Sequence, residues 1–275
     1  MIAASSFGSV DDPYFTLIEA VGTRARYRAG AATAGPWDPR LQHGGPPNAL
    51  AVAAAEQAIA AETGRTDLVA LRLAADFVGP VPVGEIEVGT QVRRAARSAA
   101  LVEVTVSADE RLCLTSRVWF VRSSDTSDIA APVSDPLPVS DLPAGLDLTF
   151  GYGSSLEWRF VKNRMGVPGP AAAWVRPVTP LLAGYEMSGL ARVALVADSG
   201  SGISAELDWA VWSFLNVDLD VHLARPVVGE WVFMDAATQL GPAGSALARS
   251  TLSDVCGEVG SGLQTLVIAP LPTRK

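Results

Sequence analysis

Two halves with the same order of predicted elements are the feature that most constrains how this 275-residue chain can fold. They are separated by a segment rich in Ser, Asp and Pro that has neither helical nor strand periodicity, which indicates an interdomain linker. The sequence therefore predicts an N-terminal unit over residues 1–122, a linker over 123–148 and a C-terminal unit over 149–275.

Within each half, a helix is followed by a series of strands. In the first half the predicted helix spans 48–62, and in the second half it spans 190–198. The predicted strands that follow the helices are 68–77, 84–93, 99–107 and 111–121 in the first half, and 211–223, 230–238, 245–252 and 262–268 in the second. A further strand precedes each helix, at 15–29 and 155–162.

This order predicts an α+β fold in which an antiparallel sheet wraps around each helix. The first helix supports the interpretation, because a face of small methyl groups lets a sheet approach closely and Ala has the highest helix propensity. The residues of that face are Ala51, Ala53, Ala54, Ala55, Ala58 and Ala61. Aligning Gly84 with Gly229 keeps the later strands in register and places Trp119 opposite Gln264.

Charge and composition exclude several classes of function. The net charge is −8 and the only lysines are Lys162 and Lys275, so no cationic cluster exists to neutralise a nucleic acid. Two isolated cysteines and two histidines do not form a zinc site. Residues 1–12 have neither a basic nor an apolar region, so we expect no signal peptide, and the apolar stretches are shorter than a membrane span. We expect a reduced, cytoplasmic protein with no nucleic-acid or membrane partner, and a homodimer is compatible with the sequence.

Three segments carry a resemblance to a known family. They are residues 37–50, WDPRLQHGGPPNAL; residues 215–252, LNVDLDVHLARPVVGEWVFMDAATQLGPAGSALARSTL; and residues 262–268, GLQTLVI. In this order and spacing they resemble the acyl-CoA thioesterase II family, and more closely its actinobacterial thioesterase-like relatives. The resemblance implies a double hotdog fold: two fused hotdog units, each an antiparallel sheet wrapped around a central helix.

The resemblance also implies an active site in the C-terminal unit that hydrolyses acyl-CoA to free acid and coenzyme A. The family's catalytic Asp and Gln match Asp198 and Gln264, and its hydroxyl residue falls on Asn216. Asn departs from the pattern because it has an amide donor and acceptor but no hydroxyl. These three residues would hold and activate a water, and neither metal nor organic cofactor is implied.

Each of the three residues also has an ordinary structural explanation. Asp198 ends an apolar helix, where a negative charge opposes the helix dipole; it is either a base in an apolar setting or a solvated Asp bonded to the next turn. Gln264 lies in a predicted strand and either bonds the backbone or holds a water. Asn216 disfavours a strand and can mark an edge or bulge. Asp218 is the second-choice carboxylate. Trp119 would fill the equivalent place in the first unit, leaving one active site.

Two further groups are candidates for binding the substrate. His43, Gly44 and Gly45 precede the first helix, where free N–H groups can bind a carbonyl oxygen or oxyanion; a plain tight turn with His43 as a cap is the alternative. Four arginines are candidates for coenzyme A phosphates or else belong to a solvated surface: Arg93, Arg94, Arg97 and Arg249.

Two other functions remain open. A non-catalytic acyl-binding protein is favoured by Asn216. A hotdog hydratase or dehydratase would need an Asp/His pair at the helix, and neither His43 nor His222 is near Asp198 in the sequence. A covalent acyl-enzyme is disfavoured, because the chain has no GxSxG motif and no Ser-His-Asp order.

Overall fold

A computed structural model of the chain describes residues 12–131, 139 and 148–271. Most of the predicted linker, 132–138 and 140–147, lies outside the described residues, so its proposed boundaries stay a prediction. Among the described residues, no helix is long and apolar enough to cross a membrane.

The described strands form one 13-stranded antiparallel sheet. In chain order they are β1 (Phe15–Val21), β2 (Arg24–Ala29), β3 (Leu68–Phe77), β4 (Glu85–Ala95), β5 (Ala99–Ala108), β6 (Arg111–Arg122), β7 (Leu156–Lys162), β8 (Ala171–Pro177), β9 (Trp212–Asn216), β10 (Asp218–Leu223), β11 (Val232–Leu240), β12 (Ser245–Asp254) and β13 (Gly257–Pro270). The spatial order is β1-β2-β4-β5-β6-β3-β10-β13-β12-β11-β8-β7, and β9 also pairs with β13.

The β3–β10 pair lies at the centre of the sheet, and the strands on either side of it mirror each other in order. Each strand of the first half therefore has a counterpart in the second half at the same distance from this pair. The β5–β6 and β12–β13 hairpins carry a bulge at the same place. Ser107 corresponds to Ser253 and Leu114 to Gly260, a constant offset of 146 residues. The same offset relates the paired residues Ala74 and Asp220, which places a pseudo-two-fold axis there and fixes the counterpart of every residue in β3–β6.

This register corrects the alignment of Gly84 with Gly229, which is wrong by one residue. The counterpart of Gln264 is Val118, which is fully buried, and not Trp119. Successive side chains of a strand point to opposite faces, so a slip of one residue moves a side chain to the other side of the sheet. Trp119 therefore does not fill the place that corresponds to Gln264.

The four helices of the described residues are α1 (Gly45–Thr63), α2 (Gly151–Ser154), α3 (Gly189–Ala197) and α4 (Gly200–Ile203). Pro46 and Pro47 start α1 in the first turn, where a missing N–H costs nothing, and Gly64 ends it in a left-handed conformation. Helix α1 is buried from Gly45 to Ala55 and packs on β3–β6, whereas Ala61 of the predicted buried face is exposed. Helix α3 packs on β10 and β11 and against α1.

Some predicted elements differ in detail. The strand predicted over 15–29 is a hairpin, because Gly22 turns the chain between β1 and β2 with a φ of 59°. The strand predicted over 211–223 breaks at Val217 into β9 and β10, so Asn216 is the last residue of β9. Strand β8 was not predicted, because it begins with three alanines, which do not favour strands.

Candidate active site

A cleft of about 570 Å³ lies where the two halves meet. It is bounded by the loop before α1, the residues after β3, the end of α3, and β9. Its lining includes His43, Gly44, Asp198, Ser201 and Asn216.

The carboxylate of Asp198 lies in this cleft, and its side chain is only 2% exposed. Asp198 caps the C-terminus of α3. The Oδ1 atom accepts hydrogen bonds from Asn216 Nδ2 at 2.9 Å and from Gln264 Nε2 at 3.4 Å, and Oδ2 lies 2.9 Å from His43 Nδ1. Two amide donors and the His43 ring thus converge on an acceptor-only group, which satisfies a carboxylate that has little contact with water.

The Gln264 amide ties the end of α3 to β13. Its Nε2 donates to the Asp198 carbonyl at 3.0 Å, and its Oε1 accepts from the N–H of Ser201 at 3.0 Å. Gln264 is 2% exposed, so without these partners its amide would be a costly buried polar group. The side chain bonds both the backbone and the Asp198 carboxylate, and it fixes the turn that presents Asp198.

Asn216 approaches the carboxylate from the other side. Its Nδ2 also donates to the Asp218 carbonyl at 3.1 Å. No described residue donates to its Oδ1, so this acceptor remains open to a ligand or water in the cleft. The Asp218 carboxylate accepts hydrogen bonds from the N–H and hydroxyl of Thr265.

The structure adds His43 to the group around Asp198. The two residues are far apart in the sequence, and only the packing of α1 against α3 brings them together. The N–H of Gly45 also lies 3.2 Å from His43 Nδ1. The Gly45 N–H donates to Nδ1, and the same nitrogen lies against the Asp198 carboxylate.

Tyr152 holds the His43 ring in place and was not foreseen from the sequence. The two rings stack with centroids 3.7 Å apart and planes 8° apart. The Tyr152 hydroxyl donates to the Leu195 carbonyl at 2.7 Å and lies 2.8 Å from Ser199 Oγ. Burial raises the pKa of this hydroxyl. Tyr152 thereby connects His43 to the end of α3.

Gly44 and Gly45 are required by close approach. A Cβ at Gly44 would lie 2.7 Å from Asp198 Oδ2 and 2.4 Å from the Phe77 ring, and a Cβ at Gly45 would lie 2.3 Å from the Leu195 carbonyl oxygen. Among the described residues, the Gly44 N–H has no acceptor. The predicted turn therefore lies beside the carboxylate, and its residues His43 and Gly44 line the cleft.

The far wall of the cleft is aromatic. Trp37 and Trp209 stack with centroids 5.2 Å apart, and Phe214 packs edge-on to both at 5.0 and 4.9 Å. Leu41, Phe77 and Val267 extend this apolar surface. The cleft therefore has a polar end at Asp198 and an apolar body.

The four arginines predicted to bind phosphates do not line this cleft. Arg93 pairs with Glu103, Arg249 donates to Gln239, and the Arg97 carbonyl accepts from Arg65. The interpretation of these residues as part of a solvated surface agrees with these contacts, and phosphate binding by them stays an untested prediction.

Two helices, each packed on its own half of one antiparallel sheet, define the class of protein as a double hotdog. The sequence profile of the acyl-CoA thioesterase N-terminal domain matches residues 33–121, and that of the acyl-CoA thioesterase C-terminal domain matches residues 129–268. The chain belongs to the acyl-CoA thioesterase family, as its sequence predicted. This membership supports thioester hydrolysis as its general activity.

Solved structures share the fold at low sequence identity. A hotdog-fold protein of unknown function from Alicyclobacillus acidocaldarius is 14% identical with a TM-score of 0.71, covering 95% of this chain and 98% of its own. The TesB protein of Mycobacterium avium subspecies paratuberculosis is 16% identical (TM-score 0.68, coverage 92% and 96%). The acyl-CoA thioesterase II of Mycobacterium marinum is 13% identical (TM-score 0.66, coverage 94% and 96%). No curated protein matches the sequence. The predicted double hotdog fold is confirmed.

Proposed function

We propose that the protein hydrolyses acyl-CoA thioesters to a free acid and coenzyme A, with a water activated by Asp198. The observation that carries this proposal is the Asp198 carboxylate, which lies in the cleft and is held by contacts from three different segments. A carboxylate has about four lone-pair positions, so one remains to accept a proton from water. The open Oδ1 of Asn216 can accept a hydrogen bond from the other O–H of this water and so orient the attacking oxygen.

The reaction then proceeds by direct attack. The water oxygen bonds to the thioester carbonyl carbon while Asp198 takes its proton. The N–H of Gly44 stabilises the oxyanion, the carbon–sulfur bond breaks, and the proton passes to the leaving sulfur. Gln264 is a positioning residue in this scheme, because its amide is occupied by Asp198 and Ser201. The aromatic wall of Trp37, Trp209 and Phe214 takes the acyl chain.

His43 favours a second candidate, a hotdog hydratase or dehydratase. The sequence offered no Asp/His pair, but His43 Nδ1 and Asp198 Oδ2 lie 2.9 Å apart. A hydratase would add water across the double bond of an enoyl-CoA and leave the thioester intact. Loss of enoyl absorbance without release of thiol from crotonyl-CoA would favour the hydratase, and release of thiol favours the thioesterase.

The decisive experiment is a thiol-release assay with acyl-CoA substrates of increasing chain length. We expect wild-type turnover, and we expect Asp198→Asn to lower kcat about 10²-fold or more, the usual scale of general base catalysis. KM should change little, because the carboxylate acts on water and not on the acyl chain.

Asp218→Asn is the matched control, because its carboxylate bonds Thr265 on β13, and it should have a much smaller effect. Wild-type turnover that is unchanged in Asp198→Asn would make the assignment wrong, and Asp218 would be the next carboxylate to test. Affinity for acyl-CoA without thiol release in any variant would indicate a binding protein.

A further inference from the structure

The pseudo-two-fold axis relates the active-site cleft to a second cleft of about 290 Å³ at the opposite end of the helix pair. Residues 68–70 of β3 line the second cleft, and their counterparts 214–216 line the active-site cleft. On the other wall, Leu223, Pro226 and Val227 correspond to Phe77, Pro80 and Val81. The offset of 146 residues that aligns the strands therefore also aligns these lining residues of the two clefts.

The second cleft lacks the groups that would hold a catalytic water. The counterpart of Asn216 is Ala70, and the counterpart of Gln264 is Val118. Both are apolar and buried. The second cleft therefore keeps the shape of a hotdog site without its amide side chains.

One carboxylate, that of Glu56 on α1, lies in the second cleft. The Tyr185 hydroxyl donates to its Oε2 at 3.0 Å. Ser188, the residue that caps α3, lines the same cleft. Glu56 is thus fixed at the N-terminus of α3, as Asp198 is fixed beside the N-terminus of α1.

Two backbone N–H groups belong to residues that line the second cleft. Gly189 and Leu190 are the first residues of the nine-residue helix α3, so their N–H groups have no intrahelical acceptor, and both residues line the cleft. Gly189 is the first residue of α3, as Gly45 is the first residue of α1. N–H groups in this position suit a carbonyl oxygen.

We propose that the second cleft binds the acyl end of an acyl thioester without hydrolysing it. The thioester carbonyl accepts from the N–H groups of Gly189 and Leu190, and the chain lies against Leu68, Leu223 and Val227. The cleft has about half the volume of the active-site cleft, so it takes the shorter chains. The choice of an acyl thioester as ligand rests on the proposed function, whereas the existence of the cleft and of its N–H groups does not depend on it.

The test is the number of ligands bound per chain. The probe is 2-oxoheptyl-coenzyme A, a ketone analogue in which a methylene between sulfur and carbonyl prevents hydrolysis. Isothermal titration of the wild type should give two sites per chain. Ala60→Trp, at the exposed rim of the second cleft, should give one.

Ala61→Trp is the matched control, because Ala61 is also exposed on α1 but does not line the cleft; it should give two sites. Circular dichroism and thermal unfolding establish that both variants are folded. A single site in the wild type, or two sites in Ala60→Trp, overturns the proposal. Thiol release with one binding site refutes the second cleft alone, whereas two sites without thiol release refute the proposed function alone.

Discussion

The active-site cleft and its counterpart in the other half have the same backbone framework and differ in a few side chains. Gln264 and Asn216 of the active-site cleft are replaced by Val118 and Ala70 in the second cleft. An unpaired buried amide costs on the order of 1–3 kcal/mol, and the Gln264 amide has partners at both its nitrogen and its oxygen. The repeated sheet therefore determines where a cleft forms, and a small set of mutually bonded polar groups determines what happens in it.

The largest effect on stability should come from Gly45→Ala at the start of α1, which is compared with Gly189→Ala at the start of α3. In Gly45→Ala, a Cβ 2.3 Å from the Leu195 carbonyl oxygen would force α1 and α3 apart. We expect a loss of about 3 kcal/mol in the free energy of unfolding, together with loss of thiol release. In Gly189→Ala the nearest atom is Val227 Cβ at 3.0 Å, so the loss should be much smaller.

Urea denaturation of the two glycine variants measures this difference. Equal losses would show that the helix contact at Gly45 does not set the geometry of the active site.

The second prediction exchanges the residues that distinguish the two clefts. Gln264→Val leaves the Ser201 N–H without its partner, which should cost about 1–3 kcal/mol of stability, and it should lower kcat more than it changes KM. Val118→Gln places an amide among apolar neighbours and should destabilise the protein by a similar amount without creating activity at the second cleft. Thermal unfolding and thiol release measure both variants. A Gln264→Val protein with wild-type kcat would contradict a positioning role.

The sequence was sufficient for the parts of the molecule that depend on local order. Alternating apolar strands and an Ala-rich helix predicted the fold, and the resemblance pointed to Asp198, Asn216 and Gln264, which the structure brings together. The register failed by one residue because Gly84 directly precedes β4, while Gly229 lies further from the start of β11.

The contacts between the halves were not predictable in the same way. His43 reaches Asp198 only because two glycines let α1 approach α3, and Tyr152 joins them from a segment that follows the linker. No periodicity or spacing within one half records such a contact. The position of the arginines relative to the cleft was not predictable for a related reason, because a basic residue near a strand end does not indicate which surface it faces.

The third prediction concerns the pH dependence of stability and the carboxylate of Glu56 in the second cleft. Burial raises the pKa of Glu56, outweighing the hydrogen bonds from Ser188 and Tyr185. A raised pKa in the folded state means that the contribution of Glu56 to stability is complete below its unfolded pKa and is lost as pH rises through the folded value. We expect the wild type to lose more stability than Glu56→Gln between pH 4 and pH 8, measured by chemical denaturation. Parallel pH profiles for the two proteins would exclude this linkage.

The smallest effect should come from Asn216→Thr, which introduces the hydroxyl of the family pattern. A Thr hydroxyl can still donate to Asp198 and accept from water, so we expect thiol release to be retained or to rise. Asn216→Ala removes both functions and should reduce kcat, in steady-state assays, by a larger factor. A Thr variant as impaired as the Ala variant would show that the amide itself is needed.

The pairing of β3 with β10 has a consequence for the history of the chain. Each half, taken alone, would have an unpaired edge strand, because β3 and β10 are symmetry counterparts that pair with each other. It would also leave its helix without the neighbouring helix. A single half could cover both surfaces by associating with a second copy across a true two-fold axis. In such an ancestor both clefts would have been identical, and gene fusion would have freed one of them to lose its amides while the other kept them.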